Sequence, residues 1–399
     1  MGLEQIIDAG SVIFRASSST PWPGTASVEV AEVWLSRGKW IEPAYLDSGK
    51  VDEIDEMLYR RSPSGWRPHS VNSNADQSFQ GSIVLGKGFV MTPDEAQALI
   101  DRDECNENVL FPYMGGEDLN QSPTLNAPRW IINFSDWSIE RAQEYPDCFR
   151  ILEEEVKPER AKKAADVRAA PWWQYWRTRA GLYRTIEGLD RVLAICLTSK
   201  SVMPVFVSAR QVFSHSCGLF AYDDDFHFGV LSSGFHYRWA CRYASSMRND
   251  LRYTPSDVFD TFAQPSFSQP VADVAQELDE FRSKRMIDSN EGLTDTYNRV
   301  HDGADRTPEI VKLRELHVAL DYAVRDAYGW NDLDLEHGFH LVRGQGTRYT
   351  FSPDAAVEVL YRLLELNRTR FENEVANGLQ DKNKSKPASE SKVVGDTLF

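Results

Sequence analysis

Thirteen consecutive residues, 172–184, read WWQYWRTRAGLYR and hold three Trp, two Tyr and three Arg. This stretch constrains its surroundings more than any other. Large rings need cover, and guanidinium groups are rarely buried without partners. One solution is a helix with its aromatic side in a core and its Arg side in water. The other is a binding surface, in which Trp and Tyr offer stacking planes and Arg offers a fork matched to phosphates and guanine edges.

The charge distribution favours the second solution. The 399-residue chain carries a formal net charge of −16, which argues against a general nucleic-acid binder. Residues 157–252, however, hold 15 Lys and Arg against 8 Asp and Glu, a local +7, leaving −23 for the rest. A basic middle between acidic ends suits one surface that meets a polyanion. Five cysteines, Cys105, Cys148, Cys196, Cys217 and Cys241, form no CxxC and follow no signal peptide, so reduced thiols in a cytoplasm are expected. No apolar run approaches the ~20 residues of a membrane span.

The length predicts two or three domains. Residues 11–15 and 26–35 alternate like strands around a PWPG turn, and two strands alone need further partners. Residues 50–60 read as a short amphipathic helix with Ile54, Met57 and Leu58 on one face. Residues 78–90 read as a Gly-punctuated hairpin, since the GK[ST] ending of a phosphate loop is missing. Thr92, Pro93 and Glu95 form a capping box that starts a helix. Residues 109–119 are turn-rich and 129–134 form a buried strand. A helix is expected at 138–144, and a charged helix at 149–168 broken at Lys157-Pro158. Hairpins are expected at 191–207 and at 218–231, the latter turning on Asp223, Asp224 and Asp225. Helices follow at 271–298, 310–328 and 355–376, then a polar tail.

Several chemistries are excluded by absence. There is no GxSxG, HExxH, Walker lysine or dinucleotide fingerprint, no [DN]PP[YFW] tetrad and no FxGxG methyl-donor loop. His215, Cys217, His227 and His236 match no zinc spacing. Asp223, Asp224 and Asp225 lack the spacing of an EF-hand. Glu155-Val156-Lys157 has a nuclease-like form without a partner aspartate.

The ordered segments GKGFVMTPDEAQALI, VLFPYMGGEDLN, RWIINFSDW, EYPDCF, EVKPER, FHFGVLSSGFHYRWA and RYTPSDVFDTFAQP resemble the target-recognition region of MmeI-like (type IIL) restriction-modification proteins and related adenine-specific DNA methyltransferases. LTDTYNRVHD, LRELHVALDYAVRDAYGWNDLDL and RLLELNRTRFENE resemble their C-terminal helical region, and PWPGTASVEVAEVWL resembles the last methyltransferase strands. The resemblance spans about residues 13–374. It implies an α+β fold: terminal methyltransferase-type strands at 1–60, a DNA target-recognition domain of short β-hairpins and helices at 61–270, a C-terminal helical domain at 271–378, and a disordered tail at 379–399.

The resemblance implies the specificity half of an N6-adenine DNA methyltransferase, acting on double-stranded DNA in a phage-defence setting. S-adenosylmethionine, and Mg²⁺ for any nuclease, would be handled by a separate methyltransferase or nuclease portion, with no cofactor or metal in this chain and no membrane. A complete methyltransferase is disfavoured by the missing loop. A stand-alone, non-catalytic DNA-binding or interaction protein is the alternative. Phosphate contacts are expected from Lys157, Arg160, Lys162, Lys163, Arg168, Arg177, Arg179 and Arg184, with Trp173 as a stacking plane. Base reading is expected from loops 208–216 and 232–248, through Arg210, Gln211, His215, Ser233, His236, Arg242 and Arg248. His317, Asp321, Tyr328 and Trp330 are expected to form a buried structural network.

Overall fold

The computed structural model describes residues 3–22, 29–47, 49–56, 58–60, 67–247 and 250–380. Alternating apolar residues make the first strands, β1 (Ser11–Pro21) and β2 (Glu29–Arg37), which pair antiparallel as expected. Their further partners are β3 (Ala44–Leu46) and β4 (Gly49–Val51), in the order β2-β1-β3-β4. The helix expected at 50–60 is not formed by the described residues. β4 occupies its start, and Ile54 bridges both Ile13 and Arg60. Ile54 and Leu58 instead fill a small core with Ile13, Ala16 and Ala44. Local helical spacing lost to pairing with a neighbouring strand. Met57 and loop residues 61–66 lie outside the described residues.

The next strands are β5 (Ser78–Gln80), β6 (Val90–Met91), β7 (Leu110–Met114), β8 (Arg129–Ile132), β9 (Arg191–Cys196), β10 (Thr198–Ser199), β11 (Val205–Ser208), β12 (Val212–Phe213) and β13 (Cys217–Phe220). They build two four-stranded sheets, β11-β9-β13-β5 and β12-β7-β8-β6. β9 and β11 form the expected antiparallel hairpin. Residues 78–90 do not: β5 pairs with β13 and β6 with β8, so this segment links the two sheets. The strand β8 and the Thr92 capping box both appear as expected. The turn-rich segment at 109–119 resolves into β7 and the helix Gly116–Gln121.

Two other readings give way to local chemistry. The 218–231 hairpin is instead β13 followed by a helix, Asp225–Ser232, capped by the Asp224 carboxylate. Phe226, Phe228, Val230 and Leu231 are all buried, and a helix buried on every side has no periodicity to reveal it. The charged helix at 149–168 is not broken at Lys157-Pro158. Helix Pro146–Ile151 passes through a π-turn, Leu152–Val156, into Lys157–Arg160, with Pro158 in a first turn, where a missing N–H costs little. The chain breaks after Arg160 instead.

Strands β14 (Ser245–Met247) and β15 (Asp250–Arg252) join β10 in the order β10-β15-β14. The C-terminal third forms helices Pro308–Ala327 and Pro353–Ala376 as expected, but the single helix expected at 271–298 is two, Gln269–Ser289 and Leu293–Val300, parted where Asn290 takes a left-handed conformation, φ +50°. Between the last two lies an unanticipated hairpin, β16 (Gly338–Val342) with β17 (Gly346–Thr350). One apolar core runs from Leu193, Phe228, Phe235 and Trp239 to Leu278, Leu313, Leu320 and Val359. The expected boundary at residue 270 falls inside this core. A second core, around Phe89, Ile131, Phe134 and Leu152, fills the β12-β7-β8-β6 layer.

The small N-terminal unit is tied to the main core by charge. Asp55, which is buried, pairs with the largely covered Arg242 of helix Gly234–Tyr243. The Arg242 guanidinium also lies 4.0 Å from the Tyr59 ring centroid. Removing one member of a buried pair strands the other charge. Asp55→Asn is therefore expected to lower unfolding stability by about 3–5 kcal/mol, measured by urea denaturation.

His236 and His317 are held neutral. Burial pushes each from the ordinary 6.5 down to about 4. In this window the unfolded chain binds the extra protons, so each histidine withdraws stability as pH falls from 6.5 toward 4, by about 1.4 kcal/mol per pH unit. Half-buried Asp260, pushed up to about 6 by desolvation, acts in the opposite direction. The net expectation is loss of stability on acidification. A His236→Gln variant should show a shallower dependence in urea midpoints measured across this range.

Candidate nucleic-acid interface

The two sheets meet where Gly81 passes the loop between β12 and β13. A Cβ on Gly81 would stand 2.2 Å from the carbonyl oxygen of Ser214 and 2.6 Å from that of Phe213, so only glycine lets the chains approach this closely. The approach is locked by backbone hydrogen bonds: Gly81 N–H to the Cys217 carbonyl at 3.0 Å, and Ser82 N–H to that of Phe213 at 2.8 Å. Ile83 and Arg177 then exchange N–H···O bonds at 3.1 and 3.2 Å. Residue 177 is thereby fixed beside the Gly81 junction.

An exposed polar group results. Gln80 Nε2 donates to the His215 carbonyl at 2.7 Å, and Gln80 Oε1 accepts from Arg179 Nη2 at 3.0 Å. The His215 side chain is exposed at the loop tip, and the Arg177 side chain is exposed with its guanidinium 4.4 Å from the Trp176 ring centroid. Arg179 takes a left-handed backbone conformation, φ +57°, as cap of the helix Ala180–Thr185. Its Nε is buried with no acceptor among the described residues. Burial, then the neighbouring charge of Arg177, push Arg179 below the ordinary arginine value. An anion placed between these two cations would relieve that repulsion. Arg184, also exposed, follows on the short helix and lines an open cleft with Arg210, Asp136 and Glu187.

The aromatic half of 172–184 is not a helix and not a free stacking surface. Trp173 Nε1 donates to the Trp137 carbonyl at 3.0 Å, and Tyr175 OH to that of Ile132 at 2.8 Å. Trp172 packs on Phe149. Core packing therefore claims Trp173. Arg160 is likewise internal, with Nε on the Leu85 carbonyl at 2.6 Å and Nη2 on that of Gln174 at 2.9 Å.

The segment 232–248 is not a reading loop. Its centre is the helix Gly234–Tyr243, packed in the main core. Ser233 is wholly buried and caps that helix through His236 N–H. His236 is wholly buried between the Leu231 carbonyl, at 2.8 Å, and Tyr253 OH, at 2.9 Å. Arg242 is committed to Asp55. Gln211 is buried, with its amide on the Ser208 carbonyl at 2.9 Å. Arg248 lies outside the described residues. These side chains read as base contacts because polar and aromatic types mix in sequence, yet here they serve packing.

Among the remaining cations, Lys157 pairs with Glu153 at 2.7 Å, Lys163 with Glu159 at 3.3 Å and Arg210 with Asp190 at 3.0 Å. Such exposed pairs contribute only about 0–1 kcal/mol, so their cations can be drawn to a stronger anion. Lys162 and Arg168 are exposed and meet no carboxylate among the described residues. Asp224 binds His227, and Asp225 pairs with Arg191 at 3.0 Å. No cluster of His, Cys, Asp and Glu among the described residues is arranged for a metal ion. Gln80 was not anticipated. Nothing local marks it, because its place depends on the pairing of β5 with β13 and on its bond to His215, 135 residues distant along the chain.

Residues 68–266, about half of the chain, match the sequence family described as MmeI, target recognition domain. The fold is similar to that of the type IIL restriction-modification enzyme MmeI, solved in complex with DNA, with TM-score 0.68 at 18% identity. The similarity covers 92% of this chain and 47% of that one, so the chain spans about half the length of the enzyme. No curated protein matches the chain. No helix among the described residues is long and apolar enough to cross a membrane.

Gly81→Ala should destabilise the sheet junction by at least the ~1–3 kcal/mol typical of overpacking, because the obstacle is backbone and cannot turn aside. Thermal unfolding should show a lowered Tm, with Gly10→Ala as a surface control: nothing lies within 4 Å of its added Cβ, and only a positive-φ strain applies there.

Proposed function

From a chain whose residues 68–266 belong to the MmeI target recognition domain family, we propose a protein that reads duplex DNA sequence through the Gly81 junction. The supporting observation is the convergence of Gln80, Arg177, Arg179 and His215 at one exposed, backbone-locked place within those residues. Gln and His supply donors and acceptors for base edges, and the paired arginines supply phosphate forks. Lys162, Arg168 and Arg184 extend the cationic surface, with Lys157, Lys163 and Arg210 available on release from their carboxylates.

The reading extends to an N6-adenine DNA methyltransferase or restriction-modification system in phage defence. Within it, this chain would supply specificity. S-adenosylmethionine would be held elsewhere in such a system, since this sequence holds neither the FxGxG loop nor the Asn-Pro-Pro tetrad. Methyl transfer, and any Mg²⁺-dependent cleavage, would fall to a methyltransferase or nuclease portion outside these 399 residues. The five free cysteines agree with a reducing cytoplasm.

Binding of duplex DNA should weaken steeply with salt, as counterions released by the cations are recaptured. Arg177→Ala should lower affinity across all sequences and reduce the slope of log K against log salt by about 1. Fluorescence anisotropy at several salt concentrations checks both. Binding that is absent, or unchanged in slope by the variant, would reject this interface.

A further inference from the structure

Away from that surface, the C-terminal hairpin encloses a cavity of about 40 Å³ against the helices at 225–243, 293–300 and 308–327. A water needs about 10–15 Å³ of such space, so the cavity admits about three water-sized groups. Its lining is mostly apolar but carries several polar side chains, Lys200, Ser232, His301, His337 and Arg348 among them.

Arg348 is the anomaly. It sits at 6% exposure on β17, yet forms no ion pair and no side-chain hydrogen bond among the described residues. A buried charge without a partner is costly, and proteins rarely keep one unless something neutralises it. The carboxylate in the cavity wall, Asp321, is already engaged. Oδ1 accepts from Gly234 N–H at 2.6 Å and Oδ2 from His337 Nε2 at 2.8 Å. Ser232 Oγ and His337 Nδ1 are also buried without partners. His301 Nδ1 accepts the Tyr349 N–H at 3.1 Å, which leaves its Nε2 as the protonated nitrogen and a donor. The His301 imidazole is held down to about 3, first by burial and then by the Arg348 charge. The lining therefore offers a cation and several donors beside one carboxylate, Asp321, whose two oxygens already accept hydrogen bonds from Gly234 and His337.

We propose that this cavity binds a phosphate group, with Arg348 as its principal cation and Ser232, His301 and His337 completing the shell. Phosphate suits the lining better than chloride or sulfate. With Nε2 donated to Asp321, His337 Nδ1 is an acceptor on the neutral ring and a donor on the imidazolium, and phosphate carries both P–OH and P–O⁻ to meet either. The exposed Lys200 stands at the mouth. A bound phosphate would fasten the β16–β17 hairpin to the core beneath the recognition layer, and it would stabilise the folded chain by mass action.

The test uses the full chain. Isothermal titration with inorganic phosphate, against sodium chloride and sulfate at equal ionic strength, should give saturable binding preferring phosphate, and a saturable rise in Tm. Arg348→Met and Arg348→Lys should each weaken phosphate binding by roughly tenfold or more, the loss expected for a charge-assisted hydrogen bond, while Arg102→Ala should not. If the Arg348 variants do not fold, the wild-type titration and His337→Gln still decide the matter. Displacement of phosphate by duplex DNA would assign the group to a DNA backbone, and indifference to DNA would assign it to the free ion; both place phosphate at Arg348. No saturable binding by the wild type, or equal binding by the variants, would mean a water-filled cavity and overturn the proposal.

Discussion

The architecture depends on the absence of one methyl group. At Gly81 two backbones come within a distance no side chain permits, and this contact sets β5 on β13 while passing the chain on toward β6 in the other sheet. Everything exposed at the junction inherits its position from that contact. Gln80 is aimed by the strand pairing, His215 by the loop that Gly81 meets, and Arg177 by its backbone exchange with Ile83. A second glycine, Gly116, supports the same loop from beneath: its N–H bonds Ser216 Oγ at 2.8 Å, and a Cβ there would meet the Ser216 carbonyl at 2.8 Å. A reading surface needs such rigid backing, because base-edge contacts demand placement to within fractions of an ångström.

The same physics separates cations that hold the fold from cations that face outward. Arg160, Arg238, Arg282 and Arg314 are buried. Arg314, for instance, bonds the carbonyls of Val300, Arg299, Asp302 and Asp305 and so closes the loop after helix Leu293–Val300. A guanidinium with its planar fork can bind several carbonyls at once, which suits it to loops whose backbone would otherwise go unsatisfied. The local +7 of residues 157–252 therefore overstates the charge available to a partner. Arg160, Arg238 and Arg242 lie within that span and are spent internally.

How legible this was in the sequence depended on whether the deciding contact was local. The Thr92 capping box, the β9–β11 hairpin and the C-terminal helices were legible, because caps, turns and amphipathic stripes are written within a few residues. The family resemblance also held, over residues 68–266. Residues 50–60 and 218–231 were misread where a distant strand or a fully buried helix overrode the local pattern. Among the site residues, Arg177, Arg179, Arg184 and His215 stand on the surface or at its edge, whereas Ser233, His236, Arg242 and Gln211 turned inward. Their chemistry was visible and their direction was not. Of the residues expected to form one buried network, His317 and Asp321 line the cavity beside β17, while Tyr328 and Trp330 stack on Phe235.

The central claim is that the Gly81 junction reads sequence rather than merely attracting DNA. It is tested most directly by selecting bound duplexes from a random pool with the wild-type chain and with Gln80→Ala and His215→Ala. A junction that reads sequence gives one recovered consensus for the wild type, with information lost at particular base positions in the variants while affinity for unrelated DNA is retained. A pool that stays random with the wild type, or a consensus left intact in both variants, would contradict it.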